Sequence, residues 1–133
     1  MAKSASNRKI ADALRDRALS YPETTEDFPW GESAFKVKGK TFTFMRATDE
    51  EISVTMKLPK SRDFALTLPR SEPSQYGMGK YDWVTMRPTA KTPLDVLFSL
   101  MEESFRANAP KRIVAQLERS AEVKAASKRA KKR

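Results

Sequence analysis

Residues 24–45, TTEDFPWGESAFKVKGKTFTFM, constrain the fold more than any other stretch of this chain. An acidic approach broken by proline ends at Pro29-Trp30-Gly31. Two short alternating runs follow, on either side of Lys38-Gly39-Lys40. Phe35 and Val37 fall on one side of the first run, with Lys36 and Lys38 on the other, and Phe42 and Phe44 repeat the apolar spacing in the second. Successive strand side chains point to opposite faces, so a period of two over runs this short reads as strand. With glycine between them, residues 33–38 and 41–46 form a predicted β-hairpin with an apolar inner face and a basic outer one.

The rest of the chain supplies further strands and the helices to cover that sheet. Residues 1–7 are small and polar and are expected to fray. Ser6 or Asn7 then caps a helix to about Ser20, with Ile10, Leu14, Ala18 and Leu19 as its apolar stripe, and Tyr21-Pro22 ends it. Glu23, Glu26, Asp27 and Glu32 surround Phe28-Pro29-Trp30-Gly31 as an acidic loop, where Thr24-x-x-Asp27 resembles a capping box. Trp30 is expected to plug the end of the sheet. A third strand, residues 51–57, points Ile52, Val54 and Met56 inward. Ser61 caps a short helix to about Thr67, with Phe64 and Leu68 packing at i, i+4. Pro69 to Tyr81 reads as loop, residues 83–87 as strand. Thr92-Pro93-Leu94-Asp95 opens the main helix with Thr92 as its cap, and the stripe is Leu94, Leu97, Phe98, Met101 and Phe105. Asn108-Ala109-Pro110 breaks it and starts a last helix, with Ile113, Val114 and Leu117 as a brief apolar edge.

Composition narrows the chemistry. The 133 residues include neither cysteine nor histidine. Thiolate chemistry, disulfides and imidazole ligands or bases are excluded, and no transition-metal site or cofactor is expected. The acidic loop lacks the spacing of a calcium loop, and Gly77-Met78-Gly79-Lys80 lacks the Ser/Thr and the following helix of a phosphate loop. With no nucleophile–base spacing in evidence, the chain reads as non-catalytic. No apolar run exceeds three residues, so a membrane span is not expected and the cytoplasm is the default compartment.

The net charge of +9 is unevenly placed. Residues 1–110 hold 17 Lys/Arg against 15 Asp/Glu, whereas residues 111–133 hold nine against two. Such asymmetry points to an anionic partner, nucleic acid before membrane. The candidate phosphate contacts are Lys36, Lys38 and Lys40 on the hairpin, extended by Arg46, Lys57 and Lys80, with Lys128, Arg129, Lys131, Lys132 and Arg133 in the tail. The alternative for the strand lysines is protection of an exposed sheet against aggregation. A protein partner held on the sheet is the alternative function.

Several motifs stand out together: Tyr21-Pro22, Glu26 through Pro29-Trp30-Gly31, Phe35-Lys36-Val37 with Gly39-Lys40 and Phe42, Met56-Lys57-Leu58, Tyr76 through Lys80 with Trp83-Val84, and Glu103-Ser104-Phe105. In this order and spacing they resemble the MmcQ/YjbR family of small bacterial proteins. The resemblance covers about residues 8–120. Gly79 and Asp82 stand where the family often has histidine or asparagine, and the lysine-rich tail lies beyond its usual core. It implies an α+β fold in the order α-β-β-β-α-β-β-α, similar to secretion-chaperone and frataxin-like (CyaY-like) folds. One antiparallel sheet of about five strands is packed against helices on one face, with a short strand at residues 75–78. It also implies the family's label of DNA-binding protein. The expected organisation is one domain, residues 1–120, followed by a basic and partly disordered tail, residues 121–133.

Overall fold

The computed structural model describes residues 2–28, 32–48, 50–74 and 82–120, with the backbone alone for residues 2–6. The chain is α+β, as its patterning implied. Helix α1 (Ala2–Ser20) leads into strands β1 (Thr24–Asp27), β2 (Ser33–Val37), β3 (Lys40–Ala47) and β4 (Ile52–Lys57). The short helix α2 (Arg62–Leu66), β5 (Glu72–Pro73), β6 (Trp83–Met86) and α3 (Leu94–Asn108) follow. Residues 111–120 form a further helix, α4. The six strands make one antiparallel sheet in the order β1-β2-β3-β4-β6-β5.

The hairpin turn is built from Lys38 at φ 50° and Gly39 at φ 80°. Two central residues with positive φ match the twist of the flanking strands, the reason this turn class joins hairpins. Beyond the turn the ladder slips by one residue. Phe35 pairs with Thr43 but Lys36 pairs with Thr41, so Phe42 is an extra residue on β3. The slip reverses the expected alternation. Phe42 and Thr43 both turn inward and are fully buried, Met45 follows them, and Phe44 moves to the outer face, half-buried and 6.0 Å from the Trp83 ring. The expectation that Phe44 joins the core is therefore corrected, because one bulged residue exchanges the faces of everything after it.

A bulge leaves backbone groups without ladder partners, and here a helix side chain takes them. The Ser104 hydroxyl on α3 donates to the Phe42 carbonyl and accepts from the Lys57 N–H at 2.9 Å. Replacing Ser104 with alanine strands two poorly hydrated backbone groups, at about 1–3 kcal/mol for a buried unpaired group. We expect urea unfolding of Ser104→Ala to show a loss of about 2 kcal/mol at unchanged m-value. A loss below about 0.5 kcal/mol would mean that water reaches the bulge.

The helices gather on the face presented by Ile52, Val54 and Met56. Tyr21 at the end of α1, Phe42 of the bulge and Phe105 of α3 form a three-ring cluster, with centroids 4.7, 5.2 and 6.0 Å apart. On α3 the buried stripe is Leu97, Leu100, Met101, Ser104 and Phe105. Phe98 packs at its margin and Leu94 is exposed, so the stripe sits slightly rotated from the expected one.

Further expectations are corrected. Helix α1 begins at Ala2, not at a cap on Ser6 or Asn7. Residues 2–7 contain no proline or glycine to stop it, and buried Asn7 instead donates its amide to the Thr48 carbonyl at 3.4 Å. Thr24 to Asp27 is no capping box but a strand, paired along β2. Its inward Glu26 accepts from the Arg15 guanidinium at 3.2 Å and the Ser33 hydroxyl at 2.8 Å, which lets a carboxylate face the helix layer. Ser61 does not cap α2 with its side chain; Glu103 of α3 does the equivalent from outside, accepting from the Lys60 and Ser61 N–H groups at 2.8 and 2.9 Å. That anchor fixes the helix so that Ala65, not Phe64, meets the core. Thr92 likewise makes no side-chain cap on α3, and its hydroxyl accepts from the Thr89 N–H instead. The expected plug Trp30 and the expected strand at 75–78 lie outside the described residues.

Candidate nucleic-acid interface

The hairpin does not gather its cations on one face. Lys36 points outward, where its ammonium lies 3.0 Å from the Asp27 carboxylate. Lys38, in the turn, lies 2.7 Å from Glu23. Lys40 stands opposite Val37 in the ladder, and directly opposed residues share a face, so it lies on the helix side at the sheet's end. The expectation of a single basic hairpin face is corrected accordingly. Arg46 is exposed on the outer face beside Ser53, and half-buried Lys57 pairs with Trp83 on that same face. Lys80, Lys128, Arg129, Lys131, Lys132 and Arg133 lie outside the described residues.

Cations of the body recur in pairs with carboxylates. Arg15 meets Glu26, Arg87 meets Glu72 at 2.9 Å, Arg106 bridges Glu102 and Glu118, and Arg112 reaches Glu23 at 3.4 Å. Glu23 thus faces two cations, and its hydrogen bond with Lys38 holds its carboxyl below the ordinary range. Arg106 is raised above its ordinary value, chiefly by its bond to Glu118, which ties α4 to α3. Exposed pairs contribute little to stability, about 0–1 kcal/mol, yet each sets a negative charge where a phosphate would have to come.

Tyr21 titrates under a different influence. Burial pushes its phenol above the ordinary value near 10, while the bond from the Arg17 guanidinium, 3.4 Å away, pulls partly back. Below pH 10 the phenol is neutral whether folded or unfolded. As pH rises past the unfolded value, the unfolded chain gives up the proton first, so stability falls through the interval up to the folded value. The expected result is that Tyr21→Phe, compared with the parent chain from about pH 8 to 11.5, gains relative stability only above about pH 10. A constant difference across that range would remove burial as the cause.

The residues that sequence reasoning missed lie on the outer face. Glu51, Ser53, Thr55, Glu72, Thr85 and Arg87 join Arg46 and Glu32 around a cleft of about 390 Å³. The outward alternation of Ser53, Thr55 and Lys57 was the available signal for its floor. Among the described residues, no group of three or more acidic side chains is placed to hold a metal ion, and no helix is long and apolar enough to cross a membrane.

Comparison with known proteins gives one family. The model described as YjbR matches residues 19–107, which contain the whole sheet, the three-ring cluster and Glu103-Ser104-Phe105. No curated protein matches the chain.

Proposed function

Because the chain belongs to the YjbR family, we propose that it is a non-catalytic module that binds DNA through phosphate contacts, made mainly by its cationic C-terminal segment. The observation that carries this reading is the charge distribution. Residues 111–133 contribute +7 of the total +9, while the remaining 110 residues nearly balance. The ion pairs of Lys36 and Lys38 strengthen the contrast, since a phosphate approaching either meets Asp27 or Glu23 as well. Phosphate contacts of this kind give affinity without sequence information. With DNA as its partner, the protein is proposed to work in the cytoplasm.

The test is a titration of the full chain with a short DNA duplex over a range of salt. Six cations lie beyond residue 120, so log K against log salt should slope by roughly −5 if all meet phosphate. Replacing Lys36 and Lys38 together with alanine should change that slope by less than about 1, because their carboxylate partners already offset them. A loss near two units would restore the hairpin as a principal contact.

A second reading has one observation in its favour: the helices pack on one face of the sheet, and the opposite face carries the cleft. A protein partner on that face would make the chain a chaperone-like interaction module. Its binding would persist at salt concentrations that release DNA.

A further inference from the structure

We infer that the outer-face cleft binds a small zwitterion, a free α-amino acid, with its carboxylate at Arg46 and its ammonium at Glu32. The cleft, about 390 Å³, falls within the roughly 300–1,000 Å³ of small-molecule sites. Every described residue lining it is charged or carries a hydroxyl, which suits a polar ligand.

Its charges divide into a closed set and an open one. On one wall Arg87 donates to Glu72 at 2.9 Å and to the Arg70 carbonyl at 3.1 Å, and lies 3.8 Å from Glu51. Arg70 also donates to Glu51. Those charges satisfy one another. Arg46 and Glu32 line the same cleft and make no ion pair among the described residues. A ligand with one charge would neutralise one of them and leave the other facing it. A zwitterion answers both, and a guanidinium is suited to hold a carboxylate by two parallel hydrogen bonds.

The floor adds polar recognition between the two ends. The Thr55 and Thr85 hydroxyls are 2.9 Å apart. One donates to the other, so the acceptor's own proton remains for a ligand, beside the Ser53 hydroxyl. Among the described residues around the cleft, three glutamates outnumber two arginines, which disfavours a polyphosphate chain there. Apart from Arg46, this cleft shares no residue with the proposed DNA contacts, which lie mainly in the C-terminal segment, so either reading can fail alone.

The experiment is a ¹H–¹⁵N NMR titration of the full chain with L-glutamine, L-serine, L-glutamate and L-lysine. N-acetyl-L-glutamine lacks the ammonium and L-glutaminamide lacks the carboxylate. The expected result is saturable shifts of the Ser53, Thr55 and Thr85 amides with at least one amino acid, and at least about tenfold weaker binding of both blocked compounds, a tenfold change being 1.4 kcal/mol. Arg46→Ala should abolish the shifts, Arg46→Lys should retain part of the affinity, and Glu32→Gln should weaken it about tenfold. Both side chains lie at the surface, and the unshifted remainder of each spectrum verifies the fold. The proposal is overturned if none of the four saturates below about 10 mM, if a blocked compound binds as well, or if binding survives Arg46→Ala.

Discussion

Replacing Phe105 with alanine should cost about 3–5 kcal/mol, a large part of the roughly 5–15 kcal/mol that holds a domain of this size together. The ring is fully buried and touches two others, Tyr21 at 4.7 Å and Phe42 at 5.2 Å. Its removal opens a cavity where α1, the β3 bulge and α3 meet, so three elements lose packing at one point. The second contact is nearly perpendicular, at 88°, the arrangement that aromatic quadrupoles favour. The melting temperature should fall by roughly 10–20 °C. Phe64→Ala is the matched control, the same chemistry at a ring half exposed on α2, and should cost less than about 1 kcal/mol. Equal losses from the two would contradict the placement of the core.

The position of Phe105 was legible in the sequence, as was most of the layer it joins. A helical stripe repeats itself over several turns, so Leu97, Met101 and Phe105 identify their own face. Strands β2 and β4 were legible for the same reason at period two. The bulge was not. Phe42 and Phe44 alternate as any regular strand would, and the group that accommodates the extra residue, Ser104, lies 62 positions away.

Strand β1 was illegible because nothing in TTED is apolar, and what stabilises its inward Glu26 comes from Arg15 and Ser33. That single omission also hid the electrostatics of the hairpin. The carboxylates beside Lys36 and Lys38 belong to β1 and the residue before it, so the cations were visible in sequence and their partners were not. The cleft needed the strand order itself, since β4 and β6 become neighbours only across α2 and β5. The motif Glu103-Ser104-Phe105 is architectural. Glu103 holds α2, Ser104 closes the bulge, and Phe105 completes the ring cluster.

Because so many of the body's cations are offset by neighbouring carboxylates, the proposed DNA affinity should reside in the C-terminal segment. Deleting residues 127–133 removes Lys128, Arg129, Lys131, Lys132 and Arg133. These residues carry no apolar stripe, so the melting temperature should move little. Their effect on DNA binding should be large, since each phosphate neutralised contributes about 0.9 to the salt slope. The direct measurement is duplex affinity against salt for the full and shortened chains side by side. If the C-terminal segment carries the affinity, the shortened chain binds more weakly, with a salt slope reduced by about 4–5 units and an unchanged unfolding transition. Unchanged affinity and unchanged slope in the shortened chain would contradict that reading.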